Sequence, residues 1–396
     1  MNNYTKVALV TLFVTTFTPF LGWVPIGVLI PQAIFLVVAF CMQPKAFASK
    51  TLILYYVFFA YQLLFGISGG SGYDITIWGA KFLGMLIPLH ISTVVFSREY
   101  QKDCGGISRF VLVIAFVTIL LSIRVLINDG NALRLASLAN STGEWEILYD
   151  YWKQGMASYD MAAMMLFMPV VLVYRLKSSY NKHKLWLLLG IGLVIVFMYL
   201  GEVTTTLLLC LLVTILAMLN VKDRAFTFVL VGFFALILVS QMTEIMDYLS
   251  AFTGDSTMGE RLSSISAGMK GETLEESSDA SVRLSLVMKT LNSFVESPFF
   301  GSPSALTGGH NYFLDMLAKY GIIGCLPFFL MIKNQYSIIQ SYLSDEAKRY
   351  YLIILIGFIA LGVIKNMSGI EYWNYLFIYY PAILIWFDSK KAYKRL

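Results

Sequence analysis

Apolar runs long enough to cross a bilayer alternate with short polar connectors along the whole chain. Their lengths predict about 12 helices, at roughly 5–21, 24–42, 51–68, 74–96, 109–128, 156–174, 185–200, 203–219, 225–245, 311–332, 350–366 and 373–387. The first two form a tight hairpin through Pro19, Gly22 and Pro25, and the seventh and eighth do the same around Gly201-Glu202. No small-residue cleavage site follows the first run, so it reads as a retained anchor. Two polar segments exceed connector length, one at 129–155 and the other at 246–310. Within the second, SVRLSLVMKTLNSFVESPFFG places Val282, Leu286 and Val287 on one helical face near Leu291 and Phe294. This predicts an amphipathic helix in the membrane interface, stopped at Ser297-Pro298.

Composition changes the picture in one respect, by excluding a soluble chain. Hydrophobic residues make up 58% and charged residues 13%, against about 25% charge in soluble domains. The mean hydropathy is +0.71. The expectation is an all-α integral membrane protein, one polytopic domain over 1–396 with two long extracytoplasmic loops.

The distribution of charge sets the expected orientation. With both termini in the cytoplasm, every cytoplasmic loop is basic. Lys45 and Lys50, Arg98 and Lys102, Arg175 to Lys184, Lys222 and Arg224, Lys348 and Arg349, and Lys390 to Arg395 all fall inside. Most of the 24 acidic residues fall in spans or outside. The four cysteines, Cys41, Cys104, Cys210 and Cys325, lie in spans or on the cytoplasmic side, so no extracytoplasmic disulfide is implied. No CxxC, HExxH or clustered His/Cys pattern suggests a metal.

Of the three histidines, His183 falls in a basic inner loop and His90 near the inner end of the fourth span. His310 alone falls outside, where the tenth span begins. It opens the pattern His310-Asn311, nine residues, Gly321-Ile322-Ile323-Gly324. That pattern resembles the His-Asn-x9-Gly-x-x-Gly signature of the O-antigen ligase and polymerase superfamily. The order of elements before it is similar too: Arg283 opening a helix, then the Glu296-to-Gly301 turn ESPFFG. Arg134 to Leu138 resembles the Arg-x3-Leu element of ligase outer loops. The specific similarity covers about 255–325. Members often carry a Ser-Arg pair near the eighth span, where this chain reads GEVTTTLLL.

The resemblance implies a GT-C-like, metal-independent glycosyltransferase without a cofactor, in a bacterial inner membrane with its site on the periplasmic face. Its donor would be a glycan on undecaprenyl diphosphate. A polymerase moves the growing chain onto a new lipid-linked repeat unit; a ligase moves it onto lipid A-core. The loop carrying SSDASVRLSLVMKT is more similar to polymerases. Expected partners are the lipid-linked donor and acceptor, membrane lipid and a chain-length regulator protein, with no nucleic acid.

Such a reaction leaves a diphosphate anion and needs a proton taken from an acceptor hydroxyl. Guanidinium groups suit the first role, because a planar fork binds phosphate oxygens in pairs and never deprotonates. An imidazole suits the second. The candidates are His310 as base, and Arg283, Arg124, Arg134 and Arg261 for the diphosphate, with Asn311 and Glu202 in support. Each has a plainer reading. His310 could anchor the helix end, Asn311 could cap it, and Arg283 could snorkel. Arg134 could be a solvated loop charge, Arg261 could pair with Glu260, and Glu202 could be a solvated turn residue. Gly321 and Gly324 read as close-packing positions. Lys81 is expected to pair with Asp74, and Asp315 with Lys319. A flippase for lipid-linked glycans is the alternative from another class. It would show inverted repeats and charges deep in its spans, and beyond Lys81 the sequence offers few.

Overall fold

The computed structural model describes residues 1–17, 25–68, 75–133, 135–136, 145–177, 183–201, 204–219, 250–251, 259, 263, 266–267, 279–305, 307, 309, 311–367 and 369–392. Among them every regular element is helical. In chain order these are α1 (Asn3–Thr16), α2 (Pro25–Met42), α3 (Lys50–Ser68), α4 (Ile75–Val95), α5 (Cys104–Asn128), α6 (Trp145–Lys153), α7 (Tyr159–Met165) and α8 (Met168–Leu176). Then come α9 (Lys184–Leu200), α10 (Thr204–Leu219), α11 (Asp279–Glu296), α12 (Tyr312–Gln340), α13 (Asp345–Ile364), α14 (Ile370–Asn374) and α15 (Tyr380–Ala392).

Five stretches among the described residues are long and apolar enough to cross a membrane: Trp78–Val95, Cys104–Asn128, Tyr159–Leu176, Tyr312–Gln340 and Asp345–Ile364. Four shorter apolar helices accompany them, within α2, α3, α9 and α10. The chain is therefore an α-helical membrane protein by length and composition of its helices. The expected span at 225–245 lies outside the described residues.

The packing is that of a protein surrounded by apolar solvent. Large apolar side chains stay exposed on the outer faces, among them Leu120 and Ile127 on α5 and Trp186 on α9. The middle of the bundle is closed by α8, whose residues Met168 to Tyr174 are all buried. Some of the polar groups that enter the interior bond to one another across helices. Antiparallel α3 and α12 are joined where Thr51 Oγ1 donates to Gln335 Oε1 at 3.1 Å and accepts from Asn334 Nδ2 at 2.8 Å. At the other end of the same pair, Phe58 meets Phe328 with ring centres 5.0 Å apart.

Between α14 and α15 the chain passes through a π-helical segment, Tyr375–Tyr379, entirely buried. A π turn spoils the regular i→i−4 ladder and leaves carbonyl groups poorly paired. Inside a membrane protein those groups need substitutes. Two hydroxyls supply them: Tyr351 donates to Leu376 O at 3.1 Å and Ser92 donates to Phe377 O at 2.8 Å.

Helices are described within both long loops. In the first, α6 is tied back by Tyr151, which donates to Asp129 Oδ2 at 2.5 Å. In the second, α11 forms where the apolar period placed a helix. Its inward face is mixed: Thr290 and Ser293 are buried and Leu286, Val287 and Phe294 half-buried, while Met288, Leu291 and Val295 are exposed beside Lys289 and Asn292.

Candidate functional site

The site is built on the break in α12. Gly321 has φ +64° in the middle of the helix, a left-handed conformation that a side chain resists. Breaking a helix frees backbone groups, and here the ESPFFG turn after α11 takes them up. Ile322 N–H donates to Pro298 O at 2.9 Å, Ile323 N–H to Phe299 O at 3.0 Å, and Ser302 N–H to Ala318 O at 3.2 Å. The turn is closed on itself by Gly301 N–H donating to Ser297 O at 2.9 Å, with Gly301 at φ +74°. A Cβ on Gly321 would fall 2.3 Å from Phe299 O, and one on Gly301 2.2 Å from Lys319 O. Two backbones approach as only glycines permit.

Gly324 serves a different contact. A Cβ there would fall 2.2 Å from the Tyr61 ring of α3, and Tyr61 in turn donates to Phe300 O at 3.0 Å. Both glycines of the Gly-x-x-Gly element therefore pack backbone closely, as the sequence suggests.

This stitching fixes the first half of α12 against α3, α4 and the turn, and a cavity of about 400 Å³ opens there. It lies at the end of the bundle where α3 ends, α4 and α12 begin and α13 ends. Trp78, Tyr312 and Trp373 contribute aromatic walls; Lys81, Lys319 and Gln62 contribute polar groups. Gly309, the residue before His310, lines it as well.

Asp315 also faces the cavity, but its carboxylate is engaged. Thr290 of α11 donates to Oδ1 at 3.1 Å, and the backbone N–H groups of Asn311 and Gly309 hydrogen-bond to the same carboxylate. One side chain thus joins the helix that carries Arg283 to the segment on both sides of position 310.

Of the residues singled out from sequence, Asn311 is buried at the N-cap of α12, though its side chain makes no capping hydrogen bond. Arg283 stands in the first turns of α11; its side chain lies outside the described residues. Arg124 is exposed on α5 and does not line the cavity. His310, Arg134, Arg261 and Glu202 lie outside the described residues, as does Asp74, the expected partner of Lys81. The expected pairing of Asp315 with Lys319 is corrected: Asp315 binds Thr290, and no ion pair within 4 Å joins it to Lys319.

A second polar cluster was not foreseen, and it sits at the ends of the spans, where Asp160 is the second residue of one and Lys365 follows the last residue of another. Lys365, where α13 ends, lies 3.8 Å from Asp160 of α7. Its ammonium sits 3.7 Å from the centre of the Tyr159 ring. Tyr372 donates to Asp160 Oδ1 at 2.9 Å, and Ser158 donates to Glu371 Oε1 at 3.1 Å. A Cβ on Gly369 would fall 2.5 Å from Asp160 and 2.6 Å from Glu371, so both carboxylates converge on that glycine. Glu371 precedes the last helix, outside the spans. Burial first, and the Asp160 carboxylate second, raise its pKa above the ordinary carboxylate range. The network backs directly onto the cavity: Tyr312 N–H donates to Lys365 O at 3.2 Å, and the adjacent Asn366 lines the cavity wall. Sequence gave one signal of it, a charged residue at each of two predicted span positions, 160 and 365.

Among the described residues no group of three His, Cys, Asp or Glu side chains is placed to hold a metal ion. No protein-family model matches the chain, and no curated protein matches it.

Proposed function

We propose that the chain is a polysaccharide polymerase. It transfers a glycan from a polyprenyl-diphosphate donor onto a lipid-linked repeat unit at the outer membrane face. The observation that carries this reading is the cavity beside residues 309–312. Motif glycines hold the first half of α12 in place, and that half lines a pocket offering aromatic walls, ammonium groups and amides together. Aromatic faces suit sugar rings, cations suit a phosphate leaving group, and the amides of Gln62 and Asn366 suit hydroxyls. In this reading His310, between cavity-lining Gly309 and buried Asn311, takes the proton from the acceptor hydroxyl. The attacking oxygen forms the new glycosidic bond as the bond from the sugar to the diphosphate breaks. The diphosphate leaves with the electron pair, and cationic side chains balance its charge. In this reading the cavity opens on the extracytoplasmic face, and the basic residues at the opposite ends of these helices support that orientation under the positive-inside rule.

The test is incubation of purified protein with a lipid-linked repeat unit alone. A ladder of product lengths, lost in a His310→Ala variant that still binds the donor, is the expected result. Products only on addition of lipid A-core would make the chain a ligase. Absence of any transfer, with movement of the glycolipid across vesicles, would make it a flippase.

A further inference from the structure

Lys81 of α4 and Lys319 of α12 come from distant parts of the chain and open onto one cavity. Both are accessible at its mouth. Among the described residues neither makes an ion pair within 4 Å. Lys81 Nζ lies 5.3 Å from the centre of the Trp78 ring, a contact that orients an ammonium without neutralising it. The one carboxylate on the cavity wall, Asp315, is held by Thr290 and by backbone N–H groups. Of the phenols, Tyr55 is committed to Phe82 O at 2.8 Å. Two like charges therefore share a pocket with neutral donors, Gln62, Thr307 and Asn366, around them.

Depth matters as much as charge. Each lysine lies six or seven residues inside the end of its helix, about 10 Å along the axis. An unpaired charge that far inside a spanning helix is expensive. Next to the segment that carries Lys319, the apolar side chains of Phe299, Phe300, Ile322 and Ile323 are all exposed. A ligand that satisfies both surfaces carries a phosphoryl anion on an apolar chain. The volume lies within the range of pockets that hold one small polar group and its neighbours.

We infer that Lys81 and Lys319 together hold the phosphoryl group of a lipid-linked ligand, with the amides of Gln62 and Asn366 supplying further hydrogen bonds. The anion site stands on the cavity itself; that its occupant is the donor of glycosyl transfer rests on the function proposed above. The pair would do for this chain what the sequence assigned to arginines alone.

The experiment titrates the purified full chain with farnesyl diphosphate and, separately, with inorganic diphosphate. K81Q and K319Q are each expected to weaken farnesyl diphosphate binding about tenfold. K81Q/K319Q should abolish it, and K81R/K319R should keep it. Unchanged affinity in K81Q/K319Q overturns the inference. Equal affinity for inorganic diphosphate overturns its lipid part. If the double variant does not fold, the single variants decide by the same criterion. Loss of binding in K81Q/K319Q, beside a wild type that binds but makes no polymer from repeat units, would leave the anion site standing and the transferase reading fallen. Polymer made normally by K81Q/K319Q would do the reverse.

Discussion

Two lysine sites lie back to back across one stretch of chain. Lys365 turns its ammonium into a closed cluster, with Asp160 at 3.8 Å and the Tyr159 ring at 3.7 Å. The next residue, Asn366, faces the cavity that Lys81 and Lys319 share. Likewise Tyr372 donates into the closed cluster while Trp373 lines the cavity. The same cation thus appears in two settings a few residues apart. In the first the protein itself supplies the counter-charge; in the second, among the described residues, it supplies none within 4 Å. A charge held without a counter-charge away from bulk water is expensive in both. Where the partner is internal the charge serves architecture, and where the partner is missing the charge awaits a ligand.

The largest effect should come from breaking the closed site. Lys365→Met removes the one ammonium among Asp160 and Glu371 and leaves buried carboxylate charge uncompensated. A loss of about 3–5 kcal/mol is expected, read as a lowered Tm of the purified protein. Lys81→Met, by contrast, removes a cation that makes no ion pair within 4 Å among the described residues, and its Tm should hold or rise. Equal destabilisation by the two would erase the distinction between the sites. Adding Asp160→Asn to Lys365→Met should recover part of the loss, because the excess of negative charge falls by one.

Next in size is the frame of the open site. Gly321→Ala forces a side chain into a left-handed conformation, about 1–3 kcal/mol, and drives its Cβ against Phe299 O, a backbone atom. The obstacle cannot rotate away, so the stitch between the turn and α12 should open, with loss of ligand binding as well as of stability. Gly324→Ala meets the Tyr61 ring instead, a side chain that a second substitution can remove. Gly324→Ala is therefore expected to regain stability with Tyr61→Ala, while Gly321→Ala is not. Recovery of Gly321→Ala by the same change would show that a side chain, not the backbone, sets the limit there.

Much of this frame is legible in the sequence. Helix ends at 50–68, 75–95, 184–200 and 204–219 fall where the apolar runs begin and stop, because hydrophobic length is the main constraint on a spanning helix. The Gly-x-x-Gly spacing correctly announces close packing. What the sequence does not reveal is which strand of chain each glycine packs against. Nothing in GIIG says that ESPFFG lies over it, since that contact joins backbone to backbone and leaves no side-chain pattern. Nor does spacing reveal partners across the bundle. Asp315 and Lys319 at i, i+4 look like a pair, yet a threonine on another helix offers Asp315 a better-placed donor. Asp160, Lys365 and Glu371 are far apart in sequence, and only the tertiary fold brings them together.

The smallest expected effect is a slope with pH, and it sharpens the comparison from the closed side. Within that cluster two carboxylates face one ammonium, so one carboxylate is favoured in its neutral form. Glu371 is that group, raised by burial and then by Asp160. Its folded form holds a proton more tightly than the unfolded chain does. Stability from this source is therefore complete below the ordinary carboxylate value and declines as pH rises toward the folded one, by at most about 1.4 kcal/mol per pH unit. Glu371→Gln keeps an oxygen for the Ser158 hydroxyl but has no proton to lose. The wild type should show a falling Tm across that window, and the variant a flatter one, with little change in Tm at the acidic end. A slope that survives in Glu371→Gln would assign the titration to another group.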